Sequence, residues 1–222
     1  MMATPTFAFP QSLAEKYRPR KVADFIGLEK QRRILAKLTA NPFPSAWLFV
    51  GASGTGKTSL ALAIAAELGA EVHHIGSQQC NLATLETVVR QCNFVPLSGG
   101  FHIVICDEAD AMSDAAQKYL LSKLDSSEPV PNTIWIFTCN ATDRLEARFL
   151  SRCRVLEFSS YGLNGNLVAL LRRIWEAESN GAPEPNLERL SREAHDNVRE
   201  SLMRLELELM SAEPVEASHA DN

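Results

Sequence analysis

The chain contains no cysteine pair at the C-x-x-C spacing of zinc and redox sites; Cys80, Cys92, Cys106, Cys139 and Cys153 stand singly. That scatter excludes a disulfide framework and implies reduced core thiols with no zinc site. No stretch approaches the roughly 18 consecutive apolar residues of a membrane span. The opening MMATPTFAFPQSLAEKYRP lacks the basic start and continuous apolar core of a secretory signal. A soluble, cytoplasmic protein with no membrane partner is therefore expected. There is no excess of positive charge either: 22 Lys and Arg against 27 Asp and Glu leave a net charge of −5, which excludes a uniformly basic nucleic-acid coat. Aromatic residues make up only 7%, but hydrophobic residues reach 45% of 222 positions, enough to fill one domain with a small helical appendage.

What charge there is lies unevenly. Residues 1–40 carry eight Lys and Arg against three acidic residues, whereas residues 184–222 carry four Arg against ten acidic residues. The basic segment reads either as a surface for an anionic partner or as the solvated face of an amphipathic helix.

Five short apolar runs, Trp47–Val50, Val72–Ile75, Phe101–Cys106, Thr133–Thr138 and Arg154–Phe158, read as strands buried on both faces. Helical periodicity fills the gaps at Ser59–Leu68, Leu82–Cys92, Ala115–Ser122 and Leu145–Leu150. Strands alternating with helices predict a parallel sheet with right-handed crossovers. After Phe158 the pattern turns wholly helical, over Leu163–Ser179, Asn186–Ala194 and Val198–Ser211. The expected organisation is an α/β domain over residues 1–160, a three-helix domain over 161–212 and a disordered tail over 213–222.

The strongest chemical signal is Gly51-Ala-Ser-Gly-Thr-Gly-Lys-Thr58, which fits G-x-x-x-x-G-K-[ST] between a strand and a helix. Phosphates need backbone N–H groups that converge from close range, and glycines at 51, 54 and 56 permit that path while a helix N-terminus adds its dipole. Gly51, Ser53, Gly54, Thr55, Gly56, Lys57, Thr58 and Ser59 are thus the candidate phosphate contacts, with Lys57 directed at the β- and γ-phosphates and Thr58 at Mg²⁺. Roughly 50 residues on, an apolar strand ends in Asp107-Glu108, at the sheet edge where ligands of open α/β sheets bind. Asp107 suits the metal shell and Glu108 suits orientation and deprotonation of water. Asn140 closes the next strand, where a neutral amide can hydrogen-bond both phosphate and water.

Taken together, Glu15-Lys-Tyr-Arg-Pro19, Asp24-Phe-Ile-Gly27, the phosphate loop, Asp107-Glu-Ala-Asp110 with Ala115-Ala-Gln117, Thr138-Cys-Asn140 and Ser151-Arg-Cys153 resemble the AAA+ ATPase subunits of sliding-clamp loaders. Replication factor C small subunits and their archaeal and phage counterparts are the most similar. The resemblance covers about residues 13–211. It implies an AAA+ P-loop NTPase fold, a five-stranded parallel sheet in the order 5-1-4-3-2 with a small three-helix lid, and ATP hydrolysis with Mg²⁺. By the same resemblance Tyr17, Arg18, Pro19 and Ile26 surround the adenine, Asn140 is sensor 1 and Arg199 is sensor 2. Arg152 is the arginine finger that enters a neighbouring subunit. The implied partners are other AAA+ subunits, a sliding clamp and primer-template DNA, with Arg90 and Lys118 as possible DNA phosphate contacts.

Three features depart from the family pattern. Its subunits continue into a helical collar, whereas this chain is expected to lack one. Ile75 stands where the family usually has Asn, in a string like L-N-A-S-D that links DNA contact to the catalytic glutamate. Asp196-Asn-Val-Arg199 replaces the usual Gly-Asp-x-Arg. The alternative function is a stand-alone AAA+ ATPase adaptor that remodels or recruits a protein partner on DNA without loading a clamp.

Overall fold

The computed structural model describes residues 11–125, 129–160 and 163–212; the expected tail at 213–222 lies outside them. These residues divide into two compact units, one spanning 19–160 and the other combining 11–18 with 163–212.

The larger unit is built on five parallel strands, β1 (Ser45–Gly51), β2 (Glu71–Ile75), β3 (His102–Cys106), β4 (Thr133–Cys139) and β5 (Arg154–Phe158), in the spatial order β2-β3-β4-β1-β5. This is the arrangement the family resemblance implies. Strands β1, β3 and β4 form the interior, and their alternate residues feed two separate cores. Leu48, Val104, Cys106, Trp135 and Phe137 face one side; Trp47, Phe49, Ile103, Ile105, Ile134 and Ile136 face the other. A strand that buries both faces needs apolar residues at every position, which accounts for its unbroken hydrophobic run.

The two edge strands correct the expectation of burial on both faces. In β2 and β5 exposed or half-exposed residues alternate with more buried ones, because each has a neighbouring strand on one side only and incomplete helical cover. Helices α2 (Glu29–Ala40) and α3 (Lys57–Leu68) cover one face, and α4 (Leu82–Cys92), α5 (Asp114–Lys123) and α6 (Ala147–Leu150) cover the other. On α2, Lys30, Arg33 and Lys37 are exposed while Leu35 and Leu38 are buried, so much of the N-terminal basic charge is the solvated face of an amphipathic helix.

Sequence chemistry sets the local geometry. Asn81 caps α4 by accepting from Thr84 N at 3.1 Å, and Ser113 caps α5 by accepting from Ala116 N at 3.3 Å. Gln117 is buried on α5. Its amide donates to Arg144 O at 3.0 Å and accepts from Glu146 N at 2.8 Å, which fixes the loop leading into α6.

The smaller unit packs α7 (Asn164–Glu178), α8 (Leu187–Glu193) and α9 (Val198–Ser211) around Leu167, Leu171, Ile174, Leu190 and Leu205. Its fourth element, α1 (Leu13–Lys16), comes from the start of the chain, so the helical unit takes in residues expected to belong with 1–160. Leu13 is buried and its N–H donates to Glu206 Oε1 at 3.3 Å, Lys16 pairs with Glu178 at 2.7 Å, and the Tyr17 hydroxyl donates to Glu178. Contacts of this kind join distant parts of the chain and leave no local pattern.

The loop before α9 explains one departure from the family pattern. His195 and Asp196 both have left-handed backbones, with φ of 51° and 56°, a conformation open to glycine and tolerated by Asp. The Asp196 carboxylate then accepts from Ser191 Oγ at 3.0 Å and Asn164 Nδ2 at 3.2 Å. Asn197 caps α9 by accepting from Glu200 N at 3.1 Å, as an aspartate there would.

Candidate active site

The C-terminal end of β1 turns directly into the glycine-rich loop. Gly51, Gly54 and Gly56 all have positive φ, at 155°, 78° and 90°, so the loop needs residues without a Cβ penalty at all three. At Gly51 a Cβ would also lie 2.0 Å from Phe158 O of the neighbouring strand. Thr55 Oγ1 donates back to Ala52 O at 2.8 Å and closes the loop on itself. Gly56 occupies the N-cap of α3, so the first free N–H groups of that helix open toward the loop.

Lys57 is buried. Its ammonium donates to Gly51 O at 2.6 Å, Ala52 O at 2.8 Å and Asn140 Oδ1 at 3.3 Å. A cation is thus held at the mouth of the loop, and the third contact brings Asn140 from β4 to β1. Asn140 itself is exposed, open to an incoming ligand.

Opposite the loop, Asp107 follows β3 and gathers three side chains. Its Oδ1 accepts from Thr58 Oγ1 at 2.7 Å and from Thr138 Oγ1 at 2.9 Å, and its Oδ2 lies 2.6 Å from His74 Nε2. The register permits this, since Cys106 pairs with Phe137 and Ile75 with Cys106, which puts Asp107 level with Thr138 and beyond the end of β2. Thr138 Oγ1 also accepts from Glu108 N at 3.2 Å. Glu108 is exposed and left-handed, φ 52° and ψ 52°, a conformation that costs a side-chain-bearing residue roughly 1–2 kcal/mol. That turn ends the strand direction and separates the two consecutive carboxylates.

The hard oxygen donors Thr58 and Asp107 suit Mg²⁺, which favours octahedral oxygen ligation at about 2.0–2.1 Å. Their 2.7 Å separation is close to the spacing of two adjacent ligands in such a shell. Among the expected site residues, the structure brings together the 51–59 loop, Asp107, Glu108 and Asn140. Pro19 and the half-buried Ile26 belong to the same unit; Tyr17, Arg18 and the exposed Arg199 belong to the helical one. Arg152 sits in the turn after α6, where its guanidinium donates to Arg148 O at 2.9 Å and approaches Asp125 Oδ2 at 3.5 Å. Arg90 and Lys118 are exposed on α4 and α5.

Two contributors were missed by sequence reasoning. Thr138 was noted only as part of a string, although its hydroxyl ties the aspartate to the glutamate backbone. His74 drew no role, yet its ring pairs with Asp107, while the adjacent Ile75 is buried in the core. The alternation of β2 would have flagged it: if Ile75 points inward, His74 points to the other face.

A second cluster gathers residues for which the sequence analysis expects only reduced core thiols and no zinc site. His73, Cys92 and His102 come from β2, α4 and β3, and each offers a ligand atom within 4.8 Å of the others. Their sequence separations match no motif, because the sheet assembles them.

The model of the ATPase family associated with various cellular activities (AAA) matches residues 47–161. The replication factor C small subunit of Halobacterium salinarum is 30% identical over 200 residues, 86% of this chain and 61% of that protein. Replication factor C subunit 4 of Arabidopsis thaliana is 30% identical over 171 residues, 69% of this chain and 50% of that protein. The chain thus spans about half to two thirds of the length of these relatives. In fold it is similar to the Thermotoga maritima RuvB Holliday junction branch migration motor, with a TM-score of 0.73 at 19% identity over 89% of this chain and 68% of that one.

Proposed function

Because the chain belongs to the AAA family of ATPases, we propose that it binds ATP with Mg²⁺ and hydrolyses it as one subunit of a clamp-loader-type assembly acting on a sliding clamp and primer-template DNA in replication. The observation that carries the reading is the linked set Thr58–Asp107–Thr138–Glu108 facing Lys57 and Asn140.

In this reading the loop N–H groups and Lys57 receive the phosphates and neutralise their charge. Thr58 and Asp107 would hold Mg²⁺, which would supply charge stabilisation to the phosphates. Asn140 moves its amide from the lysine to the γ-phosphate and the attacking water. Glu108 accepts the proton of that water as its oxygen bonds to the γ-phosphorus, and the bond to the β-phosphate oxygen breaks to leave ADP and phosphate. The family resemblance, rather than the packing of this chain, assigns Tyr17, Arg18, Pro19 and Ile26 to the adenine, the three-helix unit to the part of a lid with Arg199 as sensor 2, and Arg152 to action in trans. Arginine supplied by a neighbour can contribute roughly 10³–10⁵ in rate, so a lone subunit turns over slowly. The face at the opposite end of the strands supports a protein partner: Phe94, Val95 and Leu97, in the loop from α4 to β3, are 74%, 84% and 95% exposed. The family resemblance puts the clamp on that side.

Ile75 favours a second reading. With its side chain in the core, the polar link from DNA to Glu108 is missing at that position, as suits an adaptor that acts on a protein partner without loading a clamp.

Steady-state ATP hydrolysis against protein concentration, with and without primed DNA and a sliding clamp, separates the two. Specific activity that rises with concentration and again with DNA and clamp supports the loader; a rise with concentration alone supports the adaptor. Glu108→Gln should abolish turnover with ATP binding retained in either case, and unchanged turnover would remove Glu108 from its role. Mixing Arg152→Ala with Glu108→Gln should restore part of the activity if the arginine works across an interface.

A further inference from the structure

The N-terminal end of the β2–β3 pair holds a group of side chains that the ATPase chemistry does not use. Glu71 pairs with His102 in the strand register and His73 with Val104, so Glu71, His73 and His102 share one face of the sheet. The C-terminal turn of α4 lays Cys92 on that face. His73 Nε2 and His102 Nδ1 are 3.1 Å apart, and the ligand atoms of both histidines and Cys92 all lie within 4.8 Å of one another. We propose that His73, Cys92 and His102 bind a single Zn²⁺-class ion, with Glu71 as the fourth donor.

The donor set fits the ion. Two imidazole nitrogens and one thiolate are the ligands that select Zn²⁺ over the oxygen-loving Mg²⁺ and Ca²⁺. Two nitrogens in a tetrahedral shell stand about 3.3 Å apart, so the histidine pair need open by only a few tenths of an ångström. Glu71 Oε2 lies 3.9 Å from His102 Nδ1, within a side-chain rotation of the same centre.

The surroundings orient the ligands. His102 is buried, and its Nε2 lies 2.9 Å from Phe94 O. A carbonyl only accepts, so Nε2 carries the proton and Nδ1 presents a lone pair toward His73 and Cys92. This is the carbonyl-anchored tautomer that metal-bound histidines adopt. Without metal, His73 Nε2–H must donate into that lone pair. With metal, His73 would carry its proton on Nδ1, and the Gln91 side chain is a hydrogen-bond partner of the ring. Burial pushes the Cys92 thiol up to about 11, so it is protonated in the metal-free protein and gives one proton to solvent when the sulfur–metal bond forms. His73 is half-buried and provides the route in.

Metal here would also brace the exposed apolar loop. His102 holds Phe94 O, and Glu71 Oε2 accepts from Leu97 N at 3.0 Å, so two ligands are hydrogen-bonded to the backbone between Phe94 and Leu97.

The test uses the full chain, stripped with chelator and titrated with Co²⁺, whose visible ligand-field bands and near-ultraviolet thiolate charge-transfer band report geometry and sulfur ligation. One Co²⁺ per chain, a charge-transfer band and displacement by Zn²⁺ are expected. Cys92→Ser should lose the band and weaken binding about 100-fold, and His73→Asn, on an edge strand, should weaken it at least 10-fold. Cys153→Ser serves as the control and should change neither. A chain that takes up no Co²⁺, or one whose band survives Cys92→Ser, overturns the site and leaves a hydrogen-bonded histidine pair in its place. If Cys92→Ser fails to fold, an unaltered band in His73→Asn overturns the site equally.

Discussion

Strand β3 has a different chemistry at each end. Its C-terminal end delivers Asp107 into a set of hydroxyl and carboxylate oxygens beside an exposed glutamate and an exposed asparagine. Its N-terminal end delivers the buried His102 to a second imidazole and a thiol under an apolar loop. Oxygen donors at a half-open edge suit a ligand that arrives and leaves every turnover. Nitrogen and sulfur donors shut into a core suit an ion that stays. One strand can serve both because its middle residues, Ile103 to Ile105, are fully buried and hold the ends in fixed register.

The largest expected effect is confined to one end. Lys57→Ala removes a buried cation with two backbone carbonyl contacts, and a charged hydrogen bond to phosphate is worth up to about 3 kcal/mol. Affinity for a fluorescent ATP analogue should fall about 100-fold while Co²⁺ uptake at the other end stays unchanged. If both fall together, the two ends are not independent.

Thr138→Val should have the next largest effect. It deletes the hydroxyl between Asp107 and Glu108 at almost constant volume, at a cost of about 1–2 kcal/mol. Turnover should drop about tenfold with ATP affinity nearly kept, and Thr138→Ser should recover most of it. Equal turnover in the Val and Thr proteins would show that the aspartate positions itself.

His74→Ala is a milder test. The ring is partly exposed where it meets Asp107, and pairs of this kind contribute about 0.2–1 kcal/mol. The Mg²⁺ concentration for half-maximal hydrolysis should rise about threefold, because one carboxylate oxygen loses its anchor. A fall instead would mean that His74 competes with the metal.

The smallest effect lies in the helical unit. Burial, with the hydrogen bond to Glu178 adding to it, raises the Tyr17 phenol to about 12. A folded-state value above the unfolded one of about 10 means that its contribution is complete below pH 10 and is lost as pH climbs toward 12. Ultraviolet absorbance should show a tyrosine titrating near pH 12 that disappears in Tyr17→Phe, and the variant should lack the corresponding loss of stability over that window.

The sequence made the C-terminal end of β3 far more readable than the N-terminal end. Phosphate binding by backbone requires glycines at fixed intervals followed by a lysine, and that requirement is local, so Gly51 to Thr58 could be read directly. Asp107 and Asn140 were readable because each ends an apolar run, and parallel strands place all such ends on one edge. His73, Cys92 and His102 obey no interval, since a strand pairing and a helix crossing bring them together. The burial of β2 and β5 was overestimated because hydrophobic composition does not say which strands lie at the edge. Attachment of α1 to the helical unit was equally hidden, as it depends on Glu178 and Glu206, more than 160 residues away.

The clearance at Gly51 carries a consequence for any mutational scan of this chain. A phosphate loop is usually thought to owe its glycines to the ligand. Here the first of them abuts the carbonyl of Phe158, where even a methyl group would stand 2.0 Å from the oxygen. Selection for soluble expression alone, with no nucleotide and no activity readout, should already reject every alternative at position 51, whereas Gly56, where a methyl group would come no nearer than 3.5 Å to the Phe25 ring, should be constrained by its backbone angle and by function.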